Sequence, residues 1–438
     1  MNATIFSTLI PVAFRPLVTI AIFLATLVLM LKRPWKLPEA WATAIGSALM
    51  LMLGLETIPQ AWETISQGKE VLLFLLALML FSALLDQSGF FEWAAIHAAL
   101  AANGSCRKLF RNVFLIGALI TAFLSLDTTA IILTPIVLSF IHRLKLQAKP
   151  FVIACAFVSN TGSLLLPVSN LSNLLFQNAF QISFSSFALH MVAVQIIAVA
   201  LNYWIFVGLF ANSMPKTYEQ NLPVASSIIK DAAYFRGALI ALTLVLVGYF
   251  FGPQAHIQPY IVATCGCGML AILGLWRRQL DLAKVSRDVS WSLFPFVIGL
   301  FVVMRGVENL GLAKTLASWL ALIGDNSFWQ IIANAFAAGI GSNLINNIPM
   351  SLLSISVLKQ LHLAGNTSQF GALLGCNLGP NLTIAGSLAT MLVINAARKR
   401  GEDVGAWDFF KAGIIVTPVL LLACSICLWL TCRLLGTK

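Results

Sequence analysis

Charge is scarce in this chain of 438 residues: Asp, Glu, Lys and Arg make up only 10% of it. Soluble domains carry roughly 25%, so that class is excluded. Alternation is also missing. Apolar residues come in continuous runs, among them 71–85, 187–210, 238–251, 291–304 and 410–430, whereas a transmembrane β-barrel needs alternating segments of about ten residues. These runs approach or exceed the ~20 residues that cross a bilayer as a helix, and 59% of the chain is hydrophobic. The class is a polytopic helical membrane protein. The first ten residues hold no Lys or Arg, which argues against a cleaved signal peptide. No G-x-x-x-x-G-K-[ST] phosphate loop occurs, so the chain hydrolyses no nucleotide itself and any transport is gradient-driven or served by a separate motor. There is no His cluster and no Ser/His/Asp set. Of eight cysteines Cys265 and Cys267 form a C-x-C, and most of the eight lie in apolar runs where a small buried thiol is the expected fate. Disulfides, metal, cofactor and enzyme chemistry are therefore not expected.

What is present is mostly basic. The net charge of +11 sits in short loops between apolar runs, where it reads as the positive-inside rule and not as a nucleic-acid site. Two stretches of 32 residues, 111–142 and 327–358, have polar residues at their middles. Each is either one long helix or two short legs of a re-entrant hairpin. A leg of ~15 residues rises only ~22 Å, so two legs would turn short of the far side. With both as hairpins and the N-terminus outside, segments 31–39, 86–111, 142–150, 213–236, 277–289 and 397–411 face the cytoplasm and hold 20 of the 27 Lys and Arg. With both as single crossings the inside count drops to 12. The hairpins win, and both termini are expected outside.

Ten crossings follow, at 8–30, 40–56, 70–86, 150–178, 186–212, 236–252, 258–276, 290–305, 368–397 and 409–432. Their order is three crossings, a hairpin, a broken crossing and a crossing, then the same again from the opposite side. That predicts a 5+5 inverted repeat, with halves at 1–212 and 236–438 and a cytoplasmic linker at 213–235. Amphipathic segments near 88–103 and 306–322 read as interfacial helices.

The repeat shows in the residues. Asp127-Thr128 is matched to Asn346-Asn347. About 30 residues on, Asn160-Thr161-Gly162-Ser163 is matched to Asn377-Leu378-Gly379-Pro380, each followed by a second polar patch. Backbone that leaves the helix inside hydrocarbon must be buried in protein or line a wet cavity. Paired broken helices in inverted repeats mark a secondary-transporter site at mid-membrane. Thr128, Thr129, Ser159, Asn160, Thr161, Asn346, Asn347, Asn377, Gly379, Asn381 and Thr383 are the expected substrate contacts. Scattered residues such as Ser139, Asn202 and Thr243 read as glue between helices. Asp127 is the carboxylate at the centre of an apolar stretch. Burial penalises its charge, so it is the expected proton carrier; the plainer alternative is a cap for the returning leg from Thr128.

The strings Asp127-Thr-Thr-Ala-Ile-Ile-Leu-Thr-Pro-Ile-Val137, Val168-Ser-Asn-Leu171 and Asn346-Asn-Ile-Pro349 resemble those of bacterial arsenite/antimonite efflux permeases (the ArsB type) of the ion-transporter superfamily. So do Leu378-Gly-Pro-Asn-Leu-Thr-Ile-Ala-Gly-Ser-Leu-Ala389 and Lys411-Ala-Gly-Ile-Ile-Val-Thr-Pro418. The resemblance runs over nearly the whole chain. It implies export of trivalent arsenic and antimony across the bacterial inner membrane in exchange for protons, and a cytoplasmic arsenite-stimulated ATPase subunit as a partner. Relatives often place Asn where this chain has Leu126, and some carry an acidic residue where it has Asn160, leaving one titratable group fewer. Arsenite at neutral pH is an uncharged trihydroxide, which suits amides and hydroxyls without a basic residue. Cys155 and Cys376, each just ahead of a break, offer thiols, although tight thiolate binding would slow release. The same fold also suits a sodium- or proton-coupled carboxylate or cation transporter.

Overall fold

The computed structural model describes residues 11–32, 38–219, 229–324, 326–361 and 367–436. Among the described residues the secondary structure is helical, with one isolated β-bridge between Ser105 and Thr217. The first half contains α1 (Arg15–Lys32), α2 (Glu39–Met52), α3 (Ile58–Gln67), α4 (Lys69–Gln87), α5 (Phe90–Leu100), α6 (Cys106–Phe123), α7 (Leu126–Thr128), α8 (Thr134–Arg143), α9 (Ala148–Thr161), α10 (Leu171–Phe180) and α11 (Phe184–Leu209). The second contains α12 (Ala232–Phe251), α13 (Pro259–Trp276), α14 (Leu282–Asp288), α15 (Leu293–Glu308), α16 (Leu312–Ala321), α17 (Ser327–Ile345), α18 (Asn347–Gln360), α19 (Ser368–Leu378), α20 (Leu388–Arg398) and α21 (Ala406–Leu434). Eight helical stretches among the described residues are long and apolar enough to cross a membrane.

Helices occupy all ten expected crossings, two of them as broken pairs, α9–α10 and α19–α20. The expected start of the first crossing at residue 8, Arg33 and Lys36 of the first loop, and 220–228 of the linker lie outside the described residues. Large apolar side chains face outward along the crossings, as at Leu24, Ile196, Ile272 and Leu430. Exposed indoles stand at helix ends: Trp276 closes α13, while Trp329 and Trp407 lie in the first turns of α17 and α21. Apolar flanks with aromatic ends are the pattern of helices bathed in lipid.

The chain packs as two compact units interleaved along the sequence. One comprises Met1–Leu73, Ser290–Asp325 and Leu352–Ala364; the other comprises Phe74–Val289, Asn326–Ser351 and Gly365–Lys438. In the first, α2 runs close against α15: a Cβ on Gly299 would lie 2.8 Å from the Thr43 backbone, and one on Gly46 would lie 2.2 Å from Thr26 of α1. Small residues substitute here for the hydrophobic driving force that lipid does not supply between helices.

The second unit holds the first hairpin, the tip of the second and both broken helices. In the first hairpin α6 descends to Phe123, the chain turns at Leu124-Ser125, and a returning leg runs through α7, a π-helical stretch at Thr129–Leu133 and α8. Across the turn Thr121 Oγ1 and Thr129 Oγ1 are 2.7 Å apart. Helix α5 packs against both α6 and α8. In the second hairpin α17 turns at Asn346 into α18, and a Cβ on Gly341 would lie 2.3 Å from Met350 Sδ. Polar pairs also tie the hairpin and crossing ends together: His142 to Glu402 at 2.7 Å, Lys149 to Asp408 at 2.6 Å, Arg277 to Asp231 at 2.8 Å and Lys284 to Asp86 at 2.6 Å. All join segments that the charge count places on one side of the membrane.

Candidate functional site

The first hairpin tip is built by a serine. Ser125, in extended backbone, accepts from Thr128 N at 3.1 Å and so caps the returning leg. This corrects the capping alternative for Asp127, which instead sits inside the first turn of α7. A hydroxyl one turn earlier already satisfies the amide that a capping carboxylate would take. Ser125 Oγ and Thr128 Oγ1 are 2.9 Å apart, and Thr128 donates to Ser82 Oγ of α4 at 3.0 Å. Asp127 lines a cavity of about 20 Å³ with Ser82, Ser125, Thr128 and Asp288, and its carboxylate has no hydrogen-bond or ion-pair partner among the described residues. Helix α7 packs against α9 and α20, one leg from each broken helix.

The broken helices are locked to each other by buried amides. Asn160 Nδ2 donates to Asn381 Oδ1 at 3.0 Å and to Thr390 Oγ1 at 2.9 Å. In the mirror sense, Asn377 Nδ2 donates to Asn173 Oδ1 at 2.7 Å and its Oδ1 accepts from Asn170. The pairs Asn160–Thr390 and Asn377–Asn173 are related by one constant shift along the chain, as an inverted repeat requires. Asn381 and Asn202 both donate to Thr161 Oγ1 at 2.9 Å. Gln195 of α11 accepts from the amides of Leu164 and Leu165 in the first break. Backbone amides freed by a break in hydrocarbon cost several kcal/mol each unless such a partner is supplied.

The second hairpin tip closes on the second break. Asn346 Nδ2 donates to Ala385 O at 3.1 Å, and its Oδ1 caps α18 through Ile348 N. Asn343 bonds Gly339 O, Gly379 O and Thr383 Oγ1, all at 2.8 Å. The caps also correct the register of the repeat: Ser125 corresponds to Asn346, Leu126 to Asn347 and Asp127 to Ile348. Helix α19 carries Gly371 and Gly375 on one face, continued by Gly379 at its C-cap, where added Cβ atoms would lie 2.8, 2.2 and 2.3 Å from Ile331, Ala335 and Gly339 of α17. Gly413 plays the same part for α21, 2.5 Å from Asn381 O.

Of the expected site residues, the structure gathers Asn160, Thr161, Asn377 and Asn381 in the amide network, and Gly379 and Thr383 around Asn343, while Asn346 holds Ala385 O. Asp127 and Thr128 stand at the cavity. Thr129 turns away to Thr121, and Ser159 returns its hydroxyl to Ala156 O at 2.8 Å within its own helix. Among the described residues the buried carbonyl oxygens Asn160 Oδ1, Asn202 Oδ1 and Asn347 Oδ1 have no donor. Cys155 lies against Thr134, and both it and Cys376 are buried. Among the described residues no group of three His, Cys, Asp or Glu gathers as a metal site. Ser82, Asp288, Asn343 and Thr390 were not among the expected contacts. Ser82 is a single hydroxyl in an apolar helix, and Asp288 is one charge in a charged connection; neither carries a signal in sequence.

Residues 18–431 match the family model for the arsenical pump membrane protein. An arsenical pump membrane protein of Escherichia coli is 33% identical over 412 residues, covering 91% of this chain and 95% of the relative. The counterpart of Yersinia enterocolitica is 32% identical over the same length and shares. Among solved structures, the YdaH transporter of Alcanivorax borkumensis superposes with a TM-score of 0.57 at 15% identity, over 94% of this chain and 97% of that one. MtrF of Neisseria gonorrhoeae superposes with 0.55 at 12% identity, over 97% and 95%. These two structural likenesses establish the fold.

Proposed function

Because this chain belongs to the arsenical pump membrane protein family, we propose that it exports trivalent arsenite and antimonite, as neutral hydroxides, from the cytoplasm in exchange for protons. The observation that carries the coupling is Asp127: a carboxylate without a partner among the described residues, at a hairpin tip packed on both broken helices. An unpaired carboxylate inside the membrane is tolerated when it is neutral for part of a cycle. A proton arriving from outside neutralises it and lets the site reset; its loss toward the cytoplasm accompanies loading of the next substrate.

The donor–acceptor inventory supports this substrate class. A trihydroxide brings three O–H donors, and Asn160, Asn202 and Asn347 offer buried carbonyl acceptors that lack one. Meeting them recovers part of the roughly 1–3 kcal/mol that each unsatisfied group costs. The amide network contains no Lys or Arg, which a dicarboxylate substrate would favour. The cytoplasmic ATPase subunit implied by the resemblance would meet the loops that carry most of the basic residues.

Everted membrane vesicles test this directly. Under an imposed inward-acid pH gradient, arsenite and antimonite should accumulate and citrate or succinate should not. Accumulation of a carboxylate or of sodium instead would favour the alternative of the same fold.

A further inference from the structure

Asp127 shares its cavity with a second carboxylate, Asp288, which closes α14. The cavity of about 20 Å³ has room for one water. Its polar wall is a chain of hydroxyls, Ser125 to Thr128 to Ser82, linked at 2.9 and 3.0 Å. Asp288 Oδ2 is buried and makes no hydrogen bond among the described residues. The groups facing Asp288 are Asp86 of α4, Lys284 and Arg287 of its own helix, and Asp281 just before it. Lys284 is already paired, its Nζ 2.6 Å from Asp86, so it is not free to hold Asp288 permanently as a salt bridge. Two carboxylates therefore border one small cavity.

We propose that this cavity is the cytoplasmic proton port of the transporter, with Asp288 relaying the proton between Asp127 and bulk water. The inference rests on the coupling role of Asp127 proposed above. In the release step the O–H bond of protonated Asp127 breaks toward the cavity water, and that water gives one of its own protons to the Asp288 carboxylate. Asp288 then loses it to the cytoplasm. No other reactant is needed, and the water is regenerated. Asp288 is a positioning and relay group here; it does not touch the substrate.

The test uses the full chain in proteoliposomes with a pH dye inside and arsenite flux measured in parallel. In Asp288→Asn, arsenite-driven proton movement should fall about tenfold or more, and its dependence on cytoplasmic-side pH should flatten while the dependence on the opposite side stays. Asp288→Glu should restore the flux with a displaced pH midpoint, and Lys284→Gln, which leaves the carboxylate in place, should not reproduce the flattening. If Asp288→Asn keeps the wild-type ratio of protons to arsenite and the wild-type pH profile on both sides, the relay is refuted while the exchange reading stands. If Asp288→Asn fails to fold, a wild-type pH midpoint in Asp288→Glu refutes the relay alone. If the wild type itself moves no protons with arsenite, both fail.

Discussion

Both re-entrant hairpins turn through a side-chain cap, Ser125 in the first and Asn346 in the second, yet they deliver different chemistry to the turn that follows. After Ser125 the chain presents Asp127 to a cavity; after Asn346 the equivalent position is Ile348, 5% exposed. The backbones differ too. Ser125 is extended, at φ −173° and ψ 163°, whereas Asn346 is held at φ 75° and ψ 156°, a region that only glycine enters freely. The second tip is pinned to the Ala385 carbonyl, while the first is held by hydroxyls around a space. An inverted repeat can thus keep one frame and place a titratable group on one side of it alone.

The largest expected effect breaks this asymmetry. Asp127→Asn should lower uphill arsenite export by at least roughly a hundredfold, and adding Ile348→Asp should not restore it. Restoration by the second carboxylate, in vesicle export, would mean that the two tips are interchangeable. Next in size is packing. In Gly379→Ala the new Cβ would meet Gly339 Cα at 2.3 Å, whereas Gly162→Ala at the matching position would meet Ala118 Cα at 3.0 Å and Val158 O at 2.6 Å. Overpacking of this kind costs about 1–3 kcal/mol, and the thermal midpoint in detergent should drop further for Gly379→Ala.

The amide lock should behave symmetrically. Asn160→Ala and Asn377→Ala each strand buried partners in the opposite half, at about 1–3 kcal/mol, so their midpoints should fall by similar amounts. A drop confined to one of them would show that only one break is locked. The smallest effect separates the caps by backbone strain. Ser125→Gly loses a cap from an unstrained residue, about 1 kcal/mol or less, and should lower the midpoint. Asn346→Gly loses both its cap and its bond to Ala385 O but relieves backbone strain of about 1–3 kcal/mol, so its midpoint should lie above that of Asn346→Ala, which loses the same bonds and keeps the strain.

Much of this was legible in the sequence because hydrocarbon is an intolerant solvent. Asn, Gly, Ser and Pro inside long apolar runs leave few structures open, and the Lys/Arg distribution then separates hairpin from crossing. The breaks at Asn160–Ser163 and Asn377–Pro380 were visible for that reason. The register at the tips was not. Ser and Asp both cap helices, so spacing alone could not assign the cap to Ser125 and the free carboxylate to Asp127, nor align Asn346 with Ser125. Gly379 looked like a ligand contact beside Pro380, but its four-residue spacing from Gly375 and Gly371 is the signature of close helix packing. Ser82 and Asp288 reach the cavity through tertiary placement alone.

The central claim is that Asp127 is where protons couple to metalloid export. Proteoliposomes in which arsenite efflux and internal pH are recorded together test it most directly. Wild type should move protons inward in fixed proportion to arsenite leaving, and whatever arsenite flux remains in Asp127→Asn should carry no protons. Proton movement in fixed proportion to arsenite in Asp127→Asn would contradict the account.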